Sequence, residues 1–395
     1  MKTRQILGPL LMLQAMFFAA CMPTVEEGRY LIEGQLKNVP DSTEIRLYRD
    51  EGNLFECVGQ DTVLNGHFSF SDTISGAASR RMVLMVNGMG FPPSWLDVWV
   101  QSGSRSTVTG EDCLLPLWKV ESDVAEQRAA NEFKALCPVE RKLRMQWMTQ
   151  ETDLFRRTRG NMAECRDLTD SLRALSDSVE DIIYITELQY MQTAPVTAVW
   201  LHQLASYSAF LQYKPEFEHI DRMTDLIRSL YTRLSEADKQ TRDGRTITEY
   251  MNLPDTVGVG GDMADGDLYD TDGNLHRLSE FCGQYILLDF WSQGCGPCVQ
   301  SLPEMEEITQ MYKDKVAVVS ISQDSEESWK QYVSHKRMKG NLWNELRNGN
   351  TGLAAAYQVN GIPHYVMISP EGKVLHMWSG YGKGSLKAEM AKLLN

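Results

Sequence analysis

From Gly28 to about Trp118, apolar and polar residues alternate in short runs such as "RYLIEGQL", "STEIRLYR", "GHFSFSD", "RRMVLMVNG" and "LDVWVQSG". A period of two belongs to strands with one buried face. "LNGHF" and "VNGMG" add Asn-Gly, the pair that tight hairpins favour. These runs predict an all-β domain, a sandwich or an open barrel, over residues 21–120.

Over residues 121–252 the spacing changes to three and four, as in "VAEQRAANEFKAL" and "DRMTDLIRSLYTRLSEAD". That is the spacing of amphipathic helices, so Trp147, Tyr190 and Trp200 read as helical core rather than as a ligand box. Heptads are not sustained over enough turns to specify a coiled coil. The stretch "NLPDTVGVGGDMADG" has no period and reads as a linker, about 253–262. It lacks the flanking strand and helix that a dinucleotide fingerprint needs.

Beyond it, "GQYILLDFW" and "VAVVSIS" are apolar runs of strand length. Each precedes a helical pattern, and "HYVMISPEGKVLHMWS" reads as a hairpin around "PEGK". A last helix is expected at "SLKAEMAKLL". The chain is therefore multidomain: all-β, then helical, then an α/β domain over 253–395 whose mixed sheet is covered by helices.

Composition changes this picture at two points. A formal net charge of −14 over 395 residues argues against nucleic-acid binding, which needs a basic surface. At the start, Lys2 and Arg4 precede the apolar "ILGPLLMLQAMFFAA", which has the layout of an export signal. "FAAC" resembles a bacterial lipobox. The resemblance implies that residues 1–20 are a signal peptide and that Cys21 becomes the lipid-modified N-terminus. The protein would then be anchored in the cell envelope, facing the periplasm or the outer surface. The bare alternative is an ordinary export signal with an incidental cysteine.

Export makes disulfides feasible. Cys57, Cys113, Cys137, Cys165 and Cys282 show no framework spacing, which leaves the pairings Cys57–Cys113 and Cys137–Cys165 open. Cys282 reads as a small buried hydrophobe.

Cys295 and Cys298 differ, because they stand at the junction of a strand and a helix in "LDFWSQGCGPCVQSLPEM". A zinc site would need a second pair, and Cys282, His276, His335 and His364 do not supply one. As a staple, so short a loop contributes little. A redox dithiol fits best. Unpaired N–H groups and the dipole of a helix N-terminus stabilise a thiolate at Cys295. Pro297 suits the first helical turn, where its missing N–H costs nothing. Cys298, one turn in, should be more buried and placed to attack a mixed disulfide formed at Cys295.

This stretch resembles the active site of the thioredoxin superfamily at Asp289, Phe290, Trp291, Cys295, Gly296, Pro297, Cys298 and Pro303. "NGIPHYVMISPEGKV" resembles the segment carrying that family's cis-proline, here Pro363. The resemblance implies that Pro363 faces the cysteines, that the Ile362 backbone meets a client peptide, and that Asp289 is a buried acid exchanging protons with Cys298. Trp291, Gly296, Pro297 and His364 would complete the client surface. More narrowly, the region from about Asp262 to Leu394 resembles exported oxidoreductases of the TlpA/ResA type, which add an N-terminal hairpin. Residues 28–250 resemble, more loosely, the region ahead of such domains in Bacteroidetes lipoproteins.

Two residues depart from the pattern. Gly294 stands where the family usually has Trp. His364 stands where Thr is commoner, either close to Cys295, where a protonated ring would favour its thiolate, or exposed with no role. Together these residues imply a thiol-disulfide oxidoreductase with no cofactor beyond the Cys295–Cys298 couple and no metal. It would reduce exported client proteins and be re-reduced by a membrane electron donor. The rivals are a thiol peroxidase, from Ser292-x-x-Cys295, and an envelope binding or assembly protein with an ancillary redox domain.

Overall fold

A computed structural model describes residues 24–50, 55–158, 165–213, 218–347 and 351–394. The expected leader and its lipidation residue Cys21 lie outside the described residues.

The alternating N-terminal runs form β1 (Arg29–Leu36), β2 (Glu44–Asp50), β3 (Phe55–Thr62), β4 (His67–Thr73), β5 (Arg80–Met85), β6 (Trp95–Val100), β7 (Arg105–Gly110) and β8 (Lys119–Ser122). They make two four-stranded sheets, β4-β1-β7-β8 and β3-β2-β5-β6. Ile32, Phe68 and Val108 of the first meet Ile45, Leu47, Leu84 and Val98 of the second in one apolar cluster. The domain is thus a sandwich rather than a barrel.

The two Asn-Gly turns diverge. Asn65 and Gly66 both take positive φ, 51° and 76°, and pass the chain from one sheet to the other in two residues. Asn87-Gly88 makes no tight hairpin. It lies in a longer loop between β5 and β6, held from outside: the Gly90 N–H donates to the Asp153 carboxylate at 3.0 Å, and Arg156 donates to the Gly88 carbonyl. Tertiary contacts there replace the local turn.

Among the described residues seven helices follow: α1 (Ala125–Ala135), α2 (Pro138–Arg157), α3 (Arg166–Met191), α4 (Ala198–Tyr213), α5 (Ile220–Tyr231), α6 (Glu236–Gln240) and α7 (Arg242–Met251). Trp200, Leu204, Ile227, Leu230 and Ile247 form their core, and the Trp200 indole donates to the Met191 carbonyl at 3.0 Å. Buried Asp50 ties this region to the sandwich, accepting from Arg81 of β5 at 2.8 Å and Arg242 of α7 at 3.0 Å. Among the described residues, no helix is long and apolar enough to cross a membrane.

The C-terminal region holds β9 (Leu268–Tyr269), β10 (Leu275–His276), β11 (Tyr285–Trp291), β12 (Val316–Ser322), β13 (Asn341–Asn344), β14 (His364–Ile368) and β15 (Val374–Ser379). They form one sheet in the order β10-β9-β13-β12-β11-β14-β15. β11, β12 and β13 run parallel, and β14 and β15 are antiparallel to their neighbours. Four helices cover it: α8 (Gly296–Met311), α9 (Glu326–Lys336), α10 (Leu353–Ala356) and α11 (Ser385–Leu394).

β11 is apolar almost throughout because both its faces are covered. Ile286, Leu288 and Phe290 pack on one face with Tyr357 and Val366. Leu287 packs on the other with Met305 and Ile308 of α8 and Leu386 and Met390 of α11. That parity decides which side chains can face the cysteines. The stretch read as a linker is bound to this domain: the Val257, Gly260 and Met263 N–H groups donate to Ala356, Val374 and Gly372 at 2.8–2.9 Å. Gly-rich sequence here follows a surface rather than spanning a gap.

Candidate active site

β11 ends at Trp291, and Ser292–Gly294 carry the chain into α8. Cys295 is the N-cap of that helix, and the Cys298 N–H points at its sulfur over 3.2 Å. A side chain in this position sits where a helix leaves its first N–H groups unpaired. Pro297 falls in the first turn, where its ring is tolerated. The two sulfurs are joined in a disulfide.

The pair is asymmetric. Cys295 is partly exposed, with Gly296 and Pro297 open to solvent beside it. Cys298 is 0% exposed and packs against Trp291, Trp329 and Val333. Opposite them the Ile362–Pro363 peptide bond is cis, and the Ile362 carbonyl oxygen lies 3.5 Å from the Cys295 sulfur.

Asp289 is completely buried in β11. It shares a face with Leu287, which lies under α8, and with Trp291, which touches Cys298. Burial pushes its carboxyl up to about 7, against a weak opposing hydrogen bond from Ser320 at 3.3 Å, and its Oδ1 has no hydrogen-bond partner among the described residues. The group is thus poised to gain or lose a proton near neutral pH beneath the helix that carries the couple.

Three sequence expectations need correction. Trp291 is 1% exposed, so it forms the floor under Cys298 and cannot contact a client. His364 pairs with Phe290, on the sheet face away from α8. Its ring is buried, accepts or donates at Nδ1 to Ser379 over 2.8 Å, and burial lowers its pKa. It therefore stays neutral at pH 7 and supplies no cation to Cys295, nor is it exposed. Cys282 is exposed, following the short helical turn before β11, rather than a core residue. Cys57, Cys113, Cys137 and Cys165 are also free, so neither pairing left open exists here.

Sequence reasoning missed Asp324, which follows β12 and is 3% exposed. Its carboxylate accepts from the Ser292 hydroxyl at 2.6 Å, the Gln293 N–H at 2.9 Å and the Ser322 hydroxyl at 2.9 Å. The only signal was its place at the end of an apolar strand, where an acid is ordinarily solvated. Glu345 was missed too. Burial pushes it up to about 7, the neighbouring Glu249 of α7 adding to the effect, and its carboxylate caps α10 at Leu353 over 2.7 Å. Among the described residues, Asp181, Glu218 and His219 are the grouping of potential metal ligands, on α3 and at the start of α5 rather than at the couple.

A family model described as thioredoxin-like matches residues 283–374, a span that contains β11, both cysteines, Pro363 and β14. The C-terminal domain belongs to the thioredoxin-like family. The thioredoxin-like protein YneN of Bacillus subtilis is 29% identical over 120 residues, covering 30% of this chain and 71% of the relative. The thiol-disulfide oxidoreductase ResA of Geobacillus kaustophilus is 38% identical over 71 residues, covering 18% of this chain and 41% of that protein. The chain thus spans less than half of that ResA. Among solved structures, the thioredoxin domain of a thiol-disulfide oxidoreductase from Bacteroides vulgatus is 26% identical over 35% of this chain and all of that one, with a TM-score of 0.31. The assignment rests on the family match and the sequence relatives. The thioredoxin-like domain is a thiol-disulfide oxidoreductase, and Cys295 and Cys298 have the spacing of its CxxC pair.

Proposed function

We propose that the protein reduces disulfides of exported proteins, with Cys295 as nucleophile and Cys298 as resolving thiol. The observation that carries this reading is the asymmetry of the couple: one sulfur half-exposed at a helix N-terminus, its partner completely buried.

The Cys295 thiolate attacks one sulfur of the client disulfide, forming a mixed disulfide and expelling the other client sulfur as a thiolate. Cys298 loses its proton to Asp289 and attacks the Cys295 sulfur. The Cys295–Cys298 bond forms and the second client thiolate leaves. Two electrons pass to the client, whose two thiolates take up protons, one returned by Asp289 and one from solvent. A dithiol-type membrane donor then restores the reduced pair.

The exposed Gly296 and Pro297, with the half-buried Ile362 and its carbonyl, supply the edge along which an extended client backbone can lie, and Pro363, itself buried, lies beneath that edge. The leader and Cys21 support placing this chemistry on a lipid anchor in the envelope, with residues 28–250 as spacer or targeting region. A peroxidase is disfavoured because the Ser292 hydroxyl is committed to Asp324.

Cys298→Ser in the full chain is the test. It is expected to accumulate adducts with envelope proteins through Cys295 that dithiothreitol releases. Adduct-free protein recovered from cells with a reactive Cys295 would overturn the reading.

A further inference from the structure

The segment that delivers Cys295 to α8 is held by one buried anion. The Asp324 carboxylate binds two consecutive residues of that segment, taking the Ser292 hydroxyl on one oxygen and the Gln293 N–H on the other. Ser292 passes the connection on, because its oxygen also accepts the Gly294 N–H at 3.2 Å, and its carbonyl accepts the Cys295 N–H at 3.1 Å. On the other side, the Asn344 amide of β13 donates to the Asp324 carbonyl at 2.9 Å, and Ser322 at the end of β12 closes the carboxylate. The Ser292, Gln293 and Ser322 donors that hold this anion are all neutral. Inside the protein, opposite and like charges act over longer reach than in water.

We infer that Asp324 is a positioning residue for Cys295, fixing the Ser292–Cys295 turn through Ser292 and Gln293 while holding a negative charge behind the nucleophile. The inference rests on Cys295 being the nucleophile and adds what tunes it. Two opposed influences then act on Cys295: the α8 N-terminus favours its thiolate, and the Asp324 anion disfavours it. The reach of that charge is visible at Tyr332 of α9, which packs in the cluster containing both cysteines; burial raises its phenol first, and Asp324 raises it further. Other charged or titratable groups lie on the elements around the couple, among them Lys336 of α9, whose Nζ is 5.8 Å from the Tyr332 ring centroid. The first turn of α8 carries no charge, Glu326 and Glu327 of α9 are exposed, Asp289 lies below α8, and His364 is on the far face of the sheet. A destabilised thiolate makes a couple more reducing, which is the direction proposed above.

The two partners of the contact should move Cys295 in opposite directions. Asp324→Asn removes the charge and keeps the shape, so the Cys295 titration should fall and the couple should become more oxidising. Ser292→Ala keeps the charge and removes one donor that neutralises it, so the titration should rise. Both are read on the reduced full chain, by thiolate absorbance against pH and by equilibrium with glutathione. A severalfold change in thiolate fraction at fixed pH, of opposite sign in the two variants, is expected. Shifts of the same sign, or titrations that match the wild type while the melting temperature falls, would overturn the proposal and leave Asp324 a structural residue. Should Asp324→Asn not fold, the sign of the Ser292→Ala shift decides alone. Neither measurement uses a client, so they stand apart from the adduct test of Cys298→Ser.

Discussion

The sandwich and the thioredoxin-like domain both bury sheets, yet they treat buried polar groups differently. In and around the sandwich, buried Asp50 is paired with Arg81 and Arg242, and the buried Gln127 amide oxygen accepts the Trp99 N–H at 2.8 Å. In the thioredoxin-like domain, Asp289 Oδ1, Trp291 Nε1, Trp329 Nε1, His364 Nε2 and Trp378 Nε1 lie buried with no hydrogen-bond partner among the described residues. Each such group costs about 1–3 kcal/mol. Three of these residues mark the cysteines' side of the sheet: Trp291 and Trp329 touch Cys298, and Asp289 lies beneath α8. The sandwich too has a buried group unpartnered among the described residues, Ser106 Oγ of β7, and the thioredoxin-like domain pairs its buried Asp324 fully. The difference is therefore one of placement: the second region gathers unpaired groups where protons and sulfur must move.

Asp289→Asn tests that contrast most severely. If the carboxyl exchanges protons with Cys298, turnover of a disulfide peptide should fall by about 10²-fold. The inflection that an acid of pKa about 7 gives the rate profile should vanish with it. Stability should move the other way. The folded carboxyl titrates near 7 and an unfolded one near ~3.9, so between those values only the folded state holds the proton. The resulting stability is complete below the unfolded value and is lost as pH rises through 7. Above pH 7 the wild type therefore carries a destabilising buried anion, at most about 4 kcal/mol. The variant should gain melting temperature at pH 8 and gain little at pH 5. An unchanged rate profile would make Asp289 a passive buried group and erase the contrast.

The sandwich should answer in stability alone. A Cβ at Gly34 would sit 1.8 Å from the ring of Phe68, its cross-strand partner in the same sheet, so Gly34→Ala pushes that ring out of its place in the core. Overpacking of this kind costs about 1–3 kcal/mol. Calorimetry should show an earlier transition for the N-terminal region, while disulfide reduction at 25 °C keeps its wild-type rate. A parallel loss of rate would mean that residues 28–250 contribute to the chemistry, breaking the division between the two regions.

How much of this was legible in the sequence depends on how local each signal is. The CxxC pair, Pro297 and the apolar β11 are legible because helix entry and two-sided burial leave marks within a few residues. β13 escaped because four residues of "NLWN" are too short to show a period, and α10 escaped for the same reason. His364, Trp291 and Cys282 were misplaced because sequence adjacency to Pro363, Cys295 and β11 does not say which face of a sheet a side chain takes. The register does: His364 opposite Phe290 puts the ring away from α8. Asp324 was illegible for a stronger reason. Its partners Ser292 and Gln293 are more than thirty residues away in sequence, and only the parallel pairing of β11 with β12 brings their ends together.

Gly294 carries the smallest expected effect and separates structure from recognition most cleanly. It departs from the family pattern, but its backbone does not require glycine. Its φ is not positive, and an added Cβ would meet only the Ser292 Oγ at 3.7 Å, an ordinary contact. Gly294→Trp should therefore change stability by less than about 0.5 kcal/mol, as for a surface substitution away from any packed feature. The Cys295 titration should also hold, because the turn is fixed by Ser292, Gln293 and Asp324 rather than by the side chain at 294. What should change is KM for disulfide peptides, since an exposed indole beside Cys295 adds apolar contact area at the client surface. If KM stays constant across peptides of different sequence, client choice is set by the Ile362–Pro363 edge instead, and the glycine is neutral.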